Sequence, residues 1–172
     1  MSESNEPGIQ EFLQQSGVTP VTEGEGLPAA SIPVPEGWTD LGDGVVPGAR
    51  QVLAAVDRAS GGWSPNAVLF DSTVAGPLDV DGLLQSFITD ARRLPGWQED
   101  LARVDEGADG QRAIVRGAYE AEGLAVRVTT TLLVSTHGEN HHLAQLTVTI
   151  KQDAHDMLDG VDAIIDGLTV TA

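Results

Sequence analysis

Between Gln111 and Lys151 the chain is an almost unbroken run of strand-forming residues, interrupted only where turn residues stand. Arg112 to Glu120 stops at Glu122-Gly123, Leu124 to Val134 stops at His137-Gly138-Glu139-Asn140, and His142 to Ile150 leads into a helical pattern. Valine, isoleucine and threonine favour such segments because a branched Cβ packs well on a pleated surface. Parallel neighbours would need a crossover of about a dozen residues, and these connections are far shorter. The stretch predicts an antiparallel meander. Such a sheet needs something to cover its apolar side.

Two amphipathic helices are placed to do so. Asp79 stands as an N-cap before Val80 to Leu94, where Val80, Leu83, Leu84, Phe87, Ile88 and Ala91 recur at three- and four-residue steps. Pro95-Gly96 ends that helix. The second follows Asp153, with Met157, Leu158, Val161, Ile164, Ile165 and Leu168 on one side. Asp156, Asp159, Asp162 and Asp166 fall on the other, the pattern of a helix lying on a sheet with its acidic face in water. A shorter helix, Ile9 to Gln15, groups Ile9, Phe12 and Leu13 and stops at Gly17.

Residues 18–30, with Pro20, Gly24, Gly26 and Pro28, read as a connecting loop. Ser31 to Trp38 begins the folded body as an edge or extended approach, since its prolines do not suit a central strand. Arg50 to Asp57, Asn66 to Val74 and Gln98 to Asp105 read as further strands. The expected class is α+β, a twisted antiparallel sheet with helices packed on it. Residues 1–7 form an arm, and 8–172 a single domain.

The 172 residues include 9 basic and 26 acidic ones, a formal net charge of -17, and Lys151 is the sole lysine. Phosphate backbones and anionic headgroups are repelled by such a chain, which argues against nucleic-acid binding and adsorption to acidic lipid. No apolar run approaches the roughly 20 residues of a membrane span. There is no cysteine, hence no disulfide, thiolate nucleophile or lipid-bearing cysteine. The start, Met-Ser-Glu-Ser-Asn-Glu-Pro, lacks the basic and apolar regions of a secretory signal. A cytoplasmic home follows if Met1 is the native start, and an exported, envelope-associated one if a leader was removed.

Residues able to carry chemistry are few. His137, His141 and His142 cluster at one turn, but adjacent strand residues point to opposite faces, so at most two of the three converge. His155 reads as a surface residue in the first turn of the last helix. Hard cations need converging oxygen ligands, and aspartates radiating from a straight helix do not converge. Gly24 to Ala29 has the letters of a dinucleotide fingerprint but follows no strand and opens no helix. No Walker loop, nucleophile elbow or zincin motif occurs. The residues thus name no catalytic, cofactor-binding or metal-binding group. Trp38, Trp63 and Trp97 stand beside glycine or proline at element ends. Tryptophans there either close the core or anchor a partner, and Trp38 and Trp63 are the candidates for the second role.

Gly8 to Val18, then Ile32-Pro-Val-Pro-Glu-Gly-Trp38, then Arg93-Leu-Pro-Gly-Trp97 after the middle helix, resemble the mature domain of the actinobacterial LpqN/LpqT-type lipoproteins. The similarity covers most of residues 8–172. It implies a PsbP-like α/β/α sandwich, with helices on both faces of an antiparallel sheet. It also implies an envelope-associated binding or accessory protein rather than an enzyme, and it supplies no catalytic residues. The leader and lipidated cysteine of the family are not in the sequence, which favours a soluble paralogue.

The expected function is a non-enzymatic binding module for a protein partner or apolar ligand, acting through the Trp38 and Trp63 loops or an open sheet edge. The alternative is a small hydrolase or metal-dependent enzyme using the His137, His141 and His155 region. A carrier with an apolar pocket between sheet and helix is a third possibility.

Overall fold

A computed structural model describes residues 9–21, 27–42, 44–107 and 110–171. The expected arm at 1–7 lies outside them, as does part of the Gly24 to Ala29 stretch. Among the described residues three helices and ten strands follow in the order α1 (Ile9–Ser16), β1 (Thr19–Val21), β2 (Ala29–Ser31), β3 (Thr39–Asp40), β4 (Gln51–Ala54), β5 (Asn66–Ala75), α2 (Val80–Arg92), β6 (Gln98–Gly107), β7 (Gly110–Ala121), β8 (Leu124–His137), β9 (Asn140–Lys151), α3 (Leu158–Asp166) and β10 (Thr169–Thr171).

The meander is present. β6, β7, β8 and β9 are consecutive antiparallel neighbours. Glu122 and Gly123, between β7 and β8, have φ of 51° and 82°. Two successive positive values match the right-handed strand twist as a two-residue hairpin requires, and Gly123 adopts its value without steric cost. β9 then pairs along its other side with β5 over ten residues, Asn66↔Thr149 to Ala75↔Asn140. The outer side of β5 is shared end to end by β4 and β1, and β3 flanks β4. β2 and β10 make a separate two-stranded ribbon.

Both faces of the main sheet are covered. On one, α2 lays Leu83, Leu84, Phe87, Ile88 and Ala91 on Ala113, Val115, Leu132, Val134 and Leu143, with Phe12 and Leu13 of α1 beside them. On the other, Val161, Ile164 and Ile165 of α3 pack with Leu53, Leu69, Ile114, Leu133, Leu146 and Val148. Neighbouring residues of one strand, such as Leu132 and Leu133, enter different cores because side chains alternate across the sheet. The architecture is an α/β/α sandwich.

Several boundaries differ from those expected. Residues 18–30 contain β1 and the start of β2, not loop alone. Residues 50–57 are strand only from Gln51 to Ala54, and a 3₁₀ turn occupies Val56–Arg58. Asp79 caps α2 as expected, accepting the Gly82 N–H at 3.1 Å. Asp153 does not cap α3: a 3₁₀ turn, His155–Met157, intervenes, and α3 begins at Leu158 with no side-chain cap. The expected acidic row is not free in water throughout, since Arg116 binds Asp162 of α3 and Arg58 binds Asp156 of the 3₁₀ turn before it.

Candidate functional site

α2 is too narrow to roof the sheet. It lies over β7 and the near side of β8, leaving the β9 and β5 rows on that face only partly covered. The result is a groove of about 260 Å³. Its wall is Phe87 and Ala91 of α2, with Asp90 at the rim, Leu94 two residues past the helix end and Tyr119 of β7 alongside. Its floor is Val128 and Thr130 of β8 with Thr147 and Thr149 of β9. Threonine suits the pleat as valine does but tolerates water at its hydroxyl, so the floor need not be roofed. Thr130 Oγ and Thr147 Oγ lie 3.0 Å apart, and Thr130 also donates to the Leu146 carbonyl. Phe70 of β5, 41% exposed, continues the same face outward. An apolar wall over a hydroxyl-bearing floor can take apolar groups and hold a neighbouring polar one.

The opposite face holds a polar cluster that sequence reasoning missed. His142 is 1% exposed although it stands beside the hairpin turn. Its Nε2–H donates to Asp71 Oδ2 at 2.9 Å, and the Asp71 side chain is itself 4% exposed. Asp71 also accepts from Arg50 Nε at 2.8 Å and from the Ala30 N–H at 3.0 Å. Burial alone would raise the Asp71 carboxyl, but the bonds from Arg50, Ala30 and His142 outweigh it and hold the group below the usual carboxylate range. The Ala30 bond fastens the β2–β10 ribbon to the sheet. Gln51 assists one residue on, receiving the Ile32 N–H at Oε1 and donating from Nε2 to the Ile32 carbonyl. His142 Nδ1 is buried without a partner, and neither His142 nor Asp71 lines the groove beside α2. Spacing on a strand signals only which face His142 takes; nothing local marks Asp71, 71 residues away, as its neighbour.

The other histidines do not assemble. His137 bonds Ser135 Oγ at 3.0 Å through Nε2 and shares the face of His142. His141 bonds Thr136 Oγ1 at 3.2 Å on the other face. His155 follows the far end of β9, at the opposite end of the sheet from the hairpin. Among the described residues no three histidine, aspartate or glutamate side chains are placed to hold a metal ion. Trp38 is 8% exposed and belongs to the α3-side core, its indole Nε1 3.0 Å from where a Cβ on Gly160 would stand. Trp63 is half-buried and bridges to Ser60 in the loop before β5. Trp97 lies on Gly117: a Cβ there would come within 2.4 Å of the indole, so the close contact requires glycine. Among the described residues no helix is long and apolar enough to cross a membrane.

Residues 5–171 match the family of the probable lipoprotein LpqN. The chain is 26% identical to the proline-rich 28 kDa antigen homolog of Mycobacterium leprae over 83% of its own length and 51% of that protein. It is 27% identical to the proline-rich 28 kDa antigen of Mycobacterium tuberculosis over 83% of its own length and 46% of that protein. It thus spans about half the length of the curated relatives it matches. Its fold superposes on a crystal structure of LpqN, described as involved in cell envelope biogenesis of Mycobacterium tuberculosis, with a TM-score of 0.84. That superposition covers 98% of this chain and 100% of the other at 20% identity, a likeness of fold.

Proposed function

The chain belongs to the family of the probable lipoprotein LpqN, and from that premise we propose that it is a non-catalytic binding or accessory module. Its occupant is an apolar ligand, or the apolar side chains of a partner protein, seated in the groove beside α2. The observation that carries this reading is the groove itself, where Phe87, Ala91 and Leu94 present apolar surface above a threonine floor. Binding sites are concave and mainly apolar with a few placed polar groups, and this one has both. The buried Asp71 carboxyl is taken up by Arg50, Ala30 and His142 rather than aimed into the groove, which supports binding over catalysis. The proposal treats 8–172 as one domain, and the family description supports an envelope-associated setting.

Of the two loop tryptophans, Trp63 keeps ring surface for a partner while Trp38 lies in the core. The loop bearing Trp63 leads into β5 at Asn66, which pairs with Thr149 of the groove floor. Trp63 is therefore the peripheral anchor in this reading.

A neutral apolar dye such as Nile red tests the groove directly. Ala91→Trp fills it from the α2 side; dye binding is expected to weaken about tenfold or more while the cooperative melt persists. Unchanged dye binding by the folded variant would overturn the groove assignment. Turnover of a substrate that is lost on His137→Ala or His141→Ala would overturn the non-catalytic reading itself.

A further inference from the structure

The two edges of the main sheet are built differently, and one of them is open. At the β3 end the edge is patched from a two-residue strand and a four-residue one, with β1 taking the rest of β5. At the other end stands β6, ten residues long and free of proline. It pairs with β7 from Gln98↔Ala118 to Gly107↔Gly110, and among the described residues no strand pairs with its outer side. A register shift between Glu99 and Leu101 distorts only its beginning. From Leu101 to Gly107 the register is regular, and Val104 is 41% exposed there. A row of unpaired backbone groups on a long regular strand is a template for another strand.

The charges on β6 select what can pair. Glu99, Asp100, Asp105 and Glu106 outnumber Arg103 on the strand; Glu99 is paired with Arg92, Asp100 with Arg127 and Asp105 with Arg103. A second copy of this chain is disfavoured, because antiparallel pairing about the middle of β6 would set Glu99 against Glu106 and Asp100 against Asp105. Like charges directly opposite destabilise a sheet pair, and a net charge of -17 repels copies at longer range. A segment carrying positive charge meets the reverse situation. Glu106 takes its hydrogen bond from Gln111 rather than from a cation, so its charge is available to an incoming lysine or arginine.

We propose that the outer edge of β6 is a strand-addition site for an extended, basic segment of a partner protein, pairing with Leu101 to Gly107. This goes beyond the groove reading and uses a different surface. Backbone hydrogen bonds supply the affinity, Val104 offers contact to a β-branched residue, and Glu106 selects for positive charge.

The test uses the full chain with a strand-length synthetic peptide alternating lysine with valine, and a glutamate counterpart. Hydrogen exchange is expected to show new amide protection confined to 98–107 with the lysine peptide, and none with the glutamate peptide. N-methylation of alternate amides along one edge of the lysine peptide is expected to weaken binding about tenfold, and along its other edge less than twofold, since an added strand uses one edge only. Glu106→Lys is expected to weaken the lysine peptide about threefold without altering the melt. Protection elsewhere, equal effects from both N-methylated series, binding of the glutamate peptide, or concentration-dependent dimerisation that protects 98–107 would each overturn the proposal. Nile red binding, measured in the same samples, reports on the groove separately.

Discussion

The two faces of the sheet carry similar strands and end in different states. On the α3 side, α3, the β2–β10 ribbon and Trp38 close over the strands, and the Asp71 carboxyl is buried there with bonds from Arg50, His142 and Ala30. On the α2 side the 13-residue α2, with the short α1 beside it, covers part of the sheet, and Thr147, Thr149 and Phe70 keep contact with water. The difference lies in what covers the strands, not in strand propensity. Closure makes one face a source of stability; incomplete closure leaves the other free to bind.

If that division is right, substitutions on the closed side should damage stability far more than those on the open side. Ile164→Ala, in the α3-side core, should show the largest effect, about 3–4 kcal/mol in urea unfolding, from lost burial and the cavity left behind. A cost below about 1 kcal/mol would show that α3 is only loosely seated.

Asp71→Ala should come next, at about 2–3 kcal/mol, the value tempered because Arg50 reaches water while His142 does not. The pH dependence follows from the depressed carboxyl. A group with a lowered folded-state pKa contributes stability above its unfolded value, about 3.9, and that stability is lost as pH falls through the folded value. Acid unfolding of the parent chain should therefore steepen below about pH 4, and Asp71→Ala should remove that part of the slope.

Asp79→Ala probes the open side through the cap of α2 and should cost about 1 kcal/mol, while loosening the groove wall enough to weaken Nile red binding. The smallest effect belongs to the floor. Thr149→Ala should change stability by less than about 0.5 kcal/mol yet measurably alter dye affinity. A large loss of stability from Thr149→Ala would erase the proposed contrast between the faces.

Residues close in sequence foretold much of this molecule. The Glu122-Gly123 turn, the stripe from Leu83 to Ala91 behind Asp79, and the opposite-facing His141 and His142 all follow from backbone geometry within a few residues. Each rests on a local rule of torsion or period, and each is visible in the structure. The three-residue strands β1, β2 and β10 were not legible, because so short a segment has no period and its strand state depends on the partner it meets.

The amino-acid order by itself determined the meander, the start of α2 and the division of apolar residues between two sheet faces, since these depend on turn torsions, capping and side-chain periodicity. Only the tertiary structure decided that β9 would pair with β5, that Asp71 would meet His142 and Arg50, and that α2 would stop short of β9. Those outcomes join segments separated by tens of residues. A buried carboxylate or an open groove is defined by what arrives opposite it, and no local pattern encodes that arrival.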